Sequence, residues 1–147
     1  MLLPVLLTLA LHSQISTAPK PTTSGVLVWP HGVSPLGIDH KDVFDNHLLQ
    51  VSHRDHSGNV EVHLTKVDVL VIQSGTARLV YGGEAVGLHS TAENELQGTT
   101  IKGGTMIRVN PGDVIHIPAG VPHQFLLDTG ETITYLVVKV VEPQLAK

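Results

Sequence analysis

The chain of 147 residues is 41% apolar and 15% charged, with 14 Gly, 9 Pro and no Cys, which fits one packed domain. That balance excludes a disordered tract, a coiled coil, a collagen-like repeat, disulfides, thiolate metal sites and thiol nucleophiles. A net charge of −4 with nine Lys and Arg, set singly along the chain, leaves no basic stripe for a phosphate backbone, so no nucleic-acid partner is expected. Ten histidines outnumber Lys and Arg together, and imidazoles in such number point to metal or acid–base chemistry.

The first charged side chain is Lys20, and residues 2–11 (LLPVLLTLAL) are almost wholly apolar. Ten such residues are too few to cross a ~30 Å hydrocarbon core, so no stable membrane span is expected. They read as the hydrophobic part of a secretory signal over residues 1–18, with cleavage between about Ser13 and Ala18 and a secreted or periplasmic product. The competing reading is an apolar strand or helix of the domain itself, since no Lys or Arg precedes the stretch and Pro19 follows Ala18 directly. Residues 19–46, punctuated by Pro and His, read as an arm lying on the barrel or on a partner subunit.

From residue 26 onward, strand-like runs alternate with turn chemistry. They cover 26–29, 47–54, 59–65, 67–73, 76–81, 84–88, 97–101, 105–109, 113–117, 124–127 and 132–141. The turns between them are rich in Gly, Asn, Asp and Pro, as at Ser74-Gly75, Gly82-Gly83 and Asn110-Pro111-Gly112. Helical periodicity is missing apart from a short turn near residues 40–44. Many short strands at roughly 8–12-residue spacing indicate an all-β sandwich or barrel, here a single domain over residues 47–142.

Two groups of polar residues stand out. Glu61 and His63 are two apart on one strand, so their side chains leave the same face and can reach one cation. The same pattern also fits a solvated strand face. It fits an ion pair as well, since a hairpin turning at Ser57-Gly58 sets Arg54 across from Glu61, and a register one residue shorter sets His53 there. The second group is the run Gly112 to His123, in which an apolar strand ends in Pro118-Ala119-Gly120 and His123 follows. Pro118 ends the ladder, Gly120 allows positive φ, and Pro122 stiffens the approach to one imidazole held in a fixed direction, as a metal ligand or general base requires.

Over residues 47–141 these features resemble the cupins, small double-stranded β-helix (jelly-roll) barrels. Gly112, Pro118, Gly120 and His123 match their second motif, with Leu127 in place of its Asn. In the first motif His63 takes the second His, Asp68 the Glu and Gly75 the closing Gly. Glu61 stands at the first His and Asp55 at the leading Gly, with Gly58 nearby. The resemblance implies a double-stranded β-helix barrel with an N-terminal arm, and one divalent metal ion (Fe, Mn, Zn or Ni) held by Glu61, His63, Asp68 and His123. Glu61 in place of His makes the donor set richer in oxygen, which tilts it toward Mn or Fe over copper. Asp68 is shorter than Glu, so it either reaches the metal or stands behind it. Residues 63 and 68 share a face only if the chain bends near residues 65–67.

Around that centre, Glu61 or His53 is expected to move a proton, and His116, Gln124, Phe125 and Tyr135 to line the pocket. His56 and His89 fall beside turns, and His31, His40 and His47 in the arm and its junction. Three functions follow. The first is a metal-dependent enzyme acting on a small polar organic substrate, whether dioxygenase, isomerase, lyase or hydrolase. The others are a non-catalytic metal or small-ligand binder and a metal-free structural module. Similar barrels pair through edge strands and exchanged arms, which makes a homodimer a further expectation.

Overall fold

The computed structural model describes residues 25–142. Residues 1–18, read above as a secretory signal, lie outside them. Among the described residues no helix is long and apolar enough to cross a membrane.

Among the described residues, a single 3-10 turn at Pro30–Gly32 is followed by thirteen strands. They are β1 (Lys41–Val43), β2 (His47–Arg54), β3 (Val60–His63), β4 (Lys66–Gly75), β5 (Ala77–Tyr81), β6 (Glu84–Val86) and β7 (His89–Ala92). Then come β8 (Glu95–Gly98), β9 (Thr100–Lys102), β10 (Thr105–Val109), β11 (Val114–Ile117), β12 (His123–Leu126) and β13 (Ile133–Val141). One sheet runs β1-β2-β13-β4-β11, the other β10-β5-β12-β3-β8-β7, and β6 and β9 form a small ribbon. All pairings are antiparallel.

Alternation explains the two layers. On β4, Asp68, Leu70 and Ile72 are buried while Val69, Val71 and Gln73 are less so, and on β13 Ile133, Tyr135 and Val137 repeat the pattern. These residues meet Leu79, Val109 and Phe125 of the opposite sheet in one apolar core. Each such side chain contributes about 1.5–3 kcal/mol by leaving water. The core fills one end of the barrel. Toward the other end the inward rows change to Lys139 on β13, Asp68 on β4 and Glu61 on β3, and this change opens a cavity.

Two expectations about the N-terminal part are corrected. Residues 26–29 form no strand and pair with none, and Val26 and Val28 are exposed. His31 at φ 56 and Gly32 at φ 74 turn the chain away immediately afterwards. Conversely, residues 41–43 are not part of a turn but the edge strand β1, paired with β2 in the register Asp42↔Leu49. Among the described residues, Trp29 Nε1 donates to Asp42 Oδ2 at 2.9 Å and Gln73 Nε2 donates to the Gly32 carbonyl at 2.8 Å, tying the segment ahead of β1 to the sheet. Strand 97–101 is in fact two, β8 and β9, belonging to different sheets.

Candidate metal centre

The cavity encloses about 310 Å³ between the two sheets. Its polar end is built by neighbouring strands. His123 opens β12 directly opposite Glu61 of β3, so the strand carrying Glu61 and His63 lies beside the strand carrying His123. The Pro118-Ala119-Gly120 turn, with Gly120 at φ 77, is clipped to the same place by Gly120 N–H donating to the His63 carbonyl at 2.8 Å. The bend expected between residues 63 and 68 is present: β3 stops at His63, Leu64 N–H donates to the Asn94 carbonyl at 2.9 Å, and β4 restarts at Lys66. Asp68 thus returns to the side on which His63 points.

Glu61, His63 and His123 each offer one ligand atom, all within 4.8 Å of one another. The two imidazoles are 5.3 Å apart and tilted by 51°. His63 Nδ1 faces a carboxylate oxygen of Glu95, its register partner on β8, and Glu95 also accepts from Lys66 Nζ at 2.6 Å. His123 Nδ1 lies 3.1 Å from the Val121 carbonyl, which accepts its N–H. Both rings are thereby oriented through Nδ1, leaving Nε2 turned inward. Glu61 is held through Oε1 by Arg54 Nη2 at 2.7 Å, while its Oε2 lies 3.7 Å from His63 Nε2. Asp68 Oδ2 approaches the same region, 3.2 Å from His63 Nε2 and 3.7 Å from His123 Nε2.

One further group is in the cage. Lys139 Nζ lies 2.7 Å from His63 Nε2, and 3.1 and 3.3 Å from the two oxygens of Asp68. Lys139 and Asp68 are direct register partners on β13 and β4, so backbone pairing sets this contact. In the neutral ring, with its proton on Nδ1 and given to Glu95, Nε2 accepts from Lys139; in the protonated ring Nε2 donates instead to Asp68 Oδ2, 3.2 Å away.

Burial opposes charge on His63, yet the hydrogen bond and charge of Asp68, with Glu95 behind the ring, hold its pKa above the usual value despite the Lys139 ammonium. Burial pushes His123 below its usual value. Burial also works against the Asp68 and Glu95 carboxylates, but His63 and Lys139 hold the first low, and Lys66 and His63 the second. Asp68→Asn is therefore expected to lower the His63 pKa while leaving it measurable, read from imidazole NMR shifts against pH in metal-free protein. An unchanged His63 titration would show that Asp68 does not set it.

Of the residues proposed from sequence, Glu61, His63, Asp68 and His123 come together. Gln124, Phe125 and Tyr135 line the same cavity. Gln124 Nε2 donates to the Gly58 carbonyl at 2.9 Å, bracing the chain ahead of β3. Phe125 and Tyr135 pack with ring centroids 4.9 Å apart, and the Tyr135 hydroxyl accepts from Arg54 Nε at 2.8 Å. Two residues are elsewhere. His53 is exposed on the outer face of β2 and contacts Thr134 Oγ1 at 2.8 Å, so it is not placed to move a proton in the cavity. His116 is exposed on β11 and lines a separate outer apolar cleft with Tyr81 and Ile107. The Arg54–Glu61 pair forms as expected but not as hairpin neighbours: β2 and β3 belong to opposite sheets, and the pair crosses the barrel interior.

Lys139 and Glu95 were not anticipated. The signal for Lys139 is parity, because counting by two from Tyr135 along β13 reaches Val137 and then Lys139 on the inward face. Glu95 carries no comparable mark, since its role depends on β8 pairing with β3 across more than thirty residues of chain.

Neither a protein-family model nor a curated protein matches the sequence. Solved structures do match the fold. An uncharacterised conserved protein with a double-stranded β-helix domain from Klebsiella pneumoniae superposes with a TM-score of 0.52 at 17% identity, covering 81% of this chain and 91% of that one. A hydroquinone 1,2-dioxygenase from a Sphingomonas species, with 4-hydroxybenzoate bound, gives 0.50 at 8% identity and covers 69% of this chain and 63% of its own. A cupin protein from Bacteroides fragilis gives 0.48 at 15% identity, covering 71% and 73%. The chain has the all-β, double-stranded β-helix fold of the cupins.

Proposed function

We propose that the barrel holds one divalent metal ion on Glu61, His63 and His123 and acts there on a small polar organic molecule. The observation that carries this reading is the setting of the two imidazoles. Each turns Nδ1 to a carboxylate or carbonyl and Nε2 toward the other donors, which is how metal-binding histidines are ordinarily oriented. Two imidazoles and a carboxylate suit Fe(II), Mn(II), Zn(II) or Ni(II), with positions left for a ligand. Bound there, such an ion supplies Lewis-acid or redox chemistry.

The chain's own residues do the rest. Arg54 fixes Glu61 through Oε1 and leaves Oε2 inward, where it either serves as the metal donor or, when not so engaged, is the oxygen placed to take a proton. Phe125 and Tyr135 close the cavity floor against water. At about 310 Å³ the cavity is of a size for a compact molecule. Its lining includes Lys41, Arg54, Lys66 and Lys139 alongside Glu61, Asp68 and Glu95, which suits a polar ligand. The reaction proposed is of dioxygenase, isomerase, lyase or hydrolase type. The dioxygenase neighbour makes phenols and hydroxybenzoates the first compounds to try. The reading includes export, supported by residues 1–18 as a signal segment, with residues 19–46 as an arm and 47–142 as the barrel domain. It also includes a homodimer, supported by the exposed apolar Ile107 and Val114 on the edge strands β10 and β11. A second reading, a metal-free binding barrel, is favoured by one observation, the Lys139 ammonium at His63 Nε2.

Metal analysis of untagged protein after reconstitution tests the first reading. Wild type is expected to hold near one equivalent, His63→Ala and His123→Ala to lose it, and Glu95→Gln to bind about 10–100-fold more weakly. Less than about a tenth of an equivalent in wild type would sink it, on the premise that binding free energy demands a complete donor set. Metal retained by all the variants would show the ligands to be wrong.

A further inference from the structure

We infer that Lys139 is the resident cation of this cage: its ammonium and a divalent metal are alternative occupants of one place, so the lysine limits how tightly metal is held. The inference rests on the metal reading above for the identity of the competing ion, and on the lysine's own contacts for everything else. His63 Nε2 has one lone pair, and Lys139 Nζ is already 2.7 Å from it. A metal–imidazole bond of about 2.0–2.1 Å uses that same lone pair, so both cations cannot be in place together.

Three features make the lysine an occupant rather than a passing neighbour. Asp68, 5% exposed, grips it at 3.1 and 3.3 Å. The register partnership of Lys139 with Asp68 fixes where the stem starts. The side chain itself is only 16% exposed. Asp68 Oδ1 has Lys139 Nζ nearby but no well-directed hydrogen bond, so this buried oxygen keeps unused accepting capacity. The adjoining cavity gives the flexible lysine stem somewhere to go when displaced. There its charge faces whatever organic ligand enters, which makes an anionic group on that ligand the complementary one. Repulsion between the ammonium and an incoming dication acts at short range in a partly dry site, where it is poorly screened.

The test compares metal affinity in wild type, Lys139→Met and Lys139→Gln, by competition with a chromogenic chelator for Zn(II) and Mn(II) at one fixed pH. Both variants are expected to bind at least about tenfold more tightly than wild type, since short-range charge repulsion is removed. The methionine variant strips Asp68 of its counter-charge and the glutamine variant keeps an N–H donor, so circular dichroism of each accompanies the titration. A measurement on unaltered protein runs in parallel: Zn(II) loading is expected to speed acetic anhydride labelling of Lys139, read by mass spectrometry, because the amine leaves the cage. Equal affinity in wild type and a folded variant, or labelling of Lys139 indifferent to Zn(II), overturns the inference and leaves the metal reading standing. Metal held by the variants but not by wild type supports the inference and overturns the metal reading. Metal held by none of the three removes both.

Discussion

Asp68→Ala is expected to destabilise the metal-free protein by about 3 kcal/mol, and Asp68→Leu combined with Lys139→Met to recover most of that loss. The carboxylate is 5% exposed and touches two imidazoles and an ammonium. Removing it leaves the Lys139 ammonium with no counter-charge beside His63, whose own affinity for a proton falls at the same time. Breaking one side of a buried ion pair costs about 3–5 kcal/mol. The low end applies here because Lys139 keeps its contact with His63 Nε2 and can turn toward the cavity. Replacing both partners by apolar residues of similar volume removes the unpaired charge and is often neutral. Urea unfolding at neutral pH is the measurement, and the single variant should also melt roughly 10 °C lower. A loss below about 1 kcal/mol would mean that the pair is exchanged freely with water, as surface pairs are. A cycle that adds the Asp68→Leu and Lys139→Met single variants separates the two accounts, because additivity of the single changes would show that the residues are energetically independent.

The parts of this architecture that were readable in the sequence are those fixed locally. Turn chemistry marks where β4, β5, β10 and β11 end, and strict alternation at Val60-Glu61-Val62-His63 puts Glu61 and His63 on one side. The Pro118-Ala119-Gly120 turn and His123 depend on φ restrictions within a few residues, so their geometry follows from residue type. What was not readable depends on which strand lies beside which. Joined as a hairpin, β2 and β3 leave both His53 and Arg54 open as the partner of Glu61. They are in opposite sheets, and it is the inward row Gln50, Ser52 and Arg54 that faces Glu61. Residues 26–29 have strand-like composition yet pair with no strand, whereas residues 41–43 lack it and pair with β2 regardless. Glu95 acquires its role from β8 pairing with β3. Lys139 stood within reach of a parity argument, but a lysine near the end of an apolar strand reads by default as a solvated tip.

Gly75→Ala is expected to cost about 3–4 kcal/mol and to weaken the metal centre from a distance, while Gly120→Ala costs only about 1–2 kcal/mol. Both glycines have positive φ, +74 and +77, so both substitutions carry the strain of a left-handed conformation. They differ in what a methyl would meet. At Gly120 nothing lies within 4 Å, whereas at Gly75 it would fall 1.9 Å from the Thr132 carbonyl oxygen and 2.7 Å from its carbon. These are backbone atoms, which cannot rotate away, so relief requires β4 and β13 to move apart. The two strands are in register at Ile133↔Gly75 and Thr134↔Ser74, and a bulge between Thr134 and Tyr135 then shifts the pairing to Tyr135↔Ile72. The bulge leaves Gln73 of β4 unpaired and so decides that Lys139 lies opposite Asp68 rather than Val69. Displacing the strands at Gly75 therefore works on the floor of the cavity and on the lysine–aspartate contact together. Chemical denaturation of the two variants, followed by the chelator competition on whichever remain folded, checks both halves of the expectation. A Gly75→Ala protein as stable as Gly120→Ala would show that the β4–β13 junction yields cheaply, and Lys139 would then owe its position to Asp68 alone.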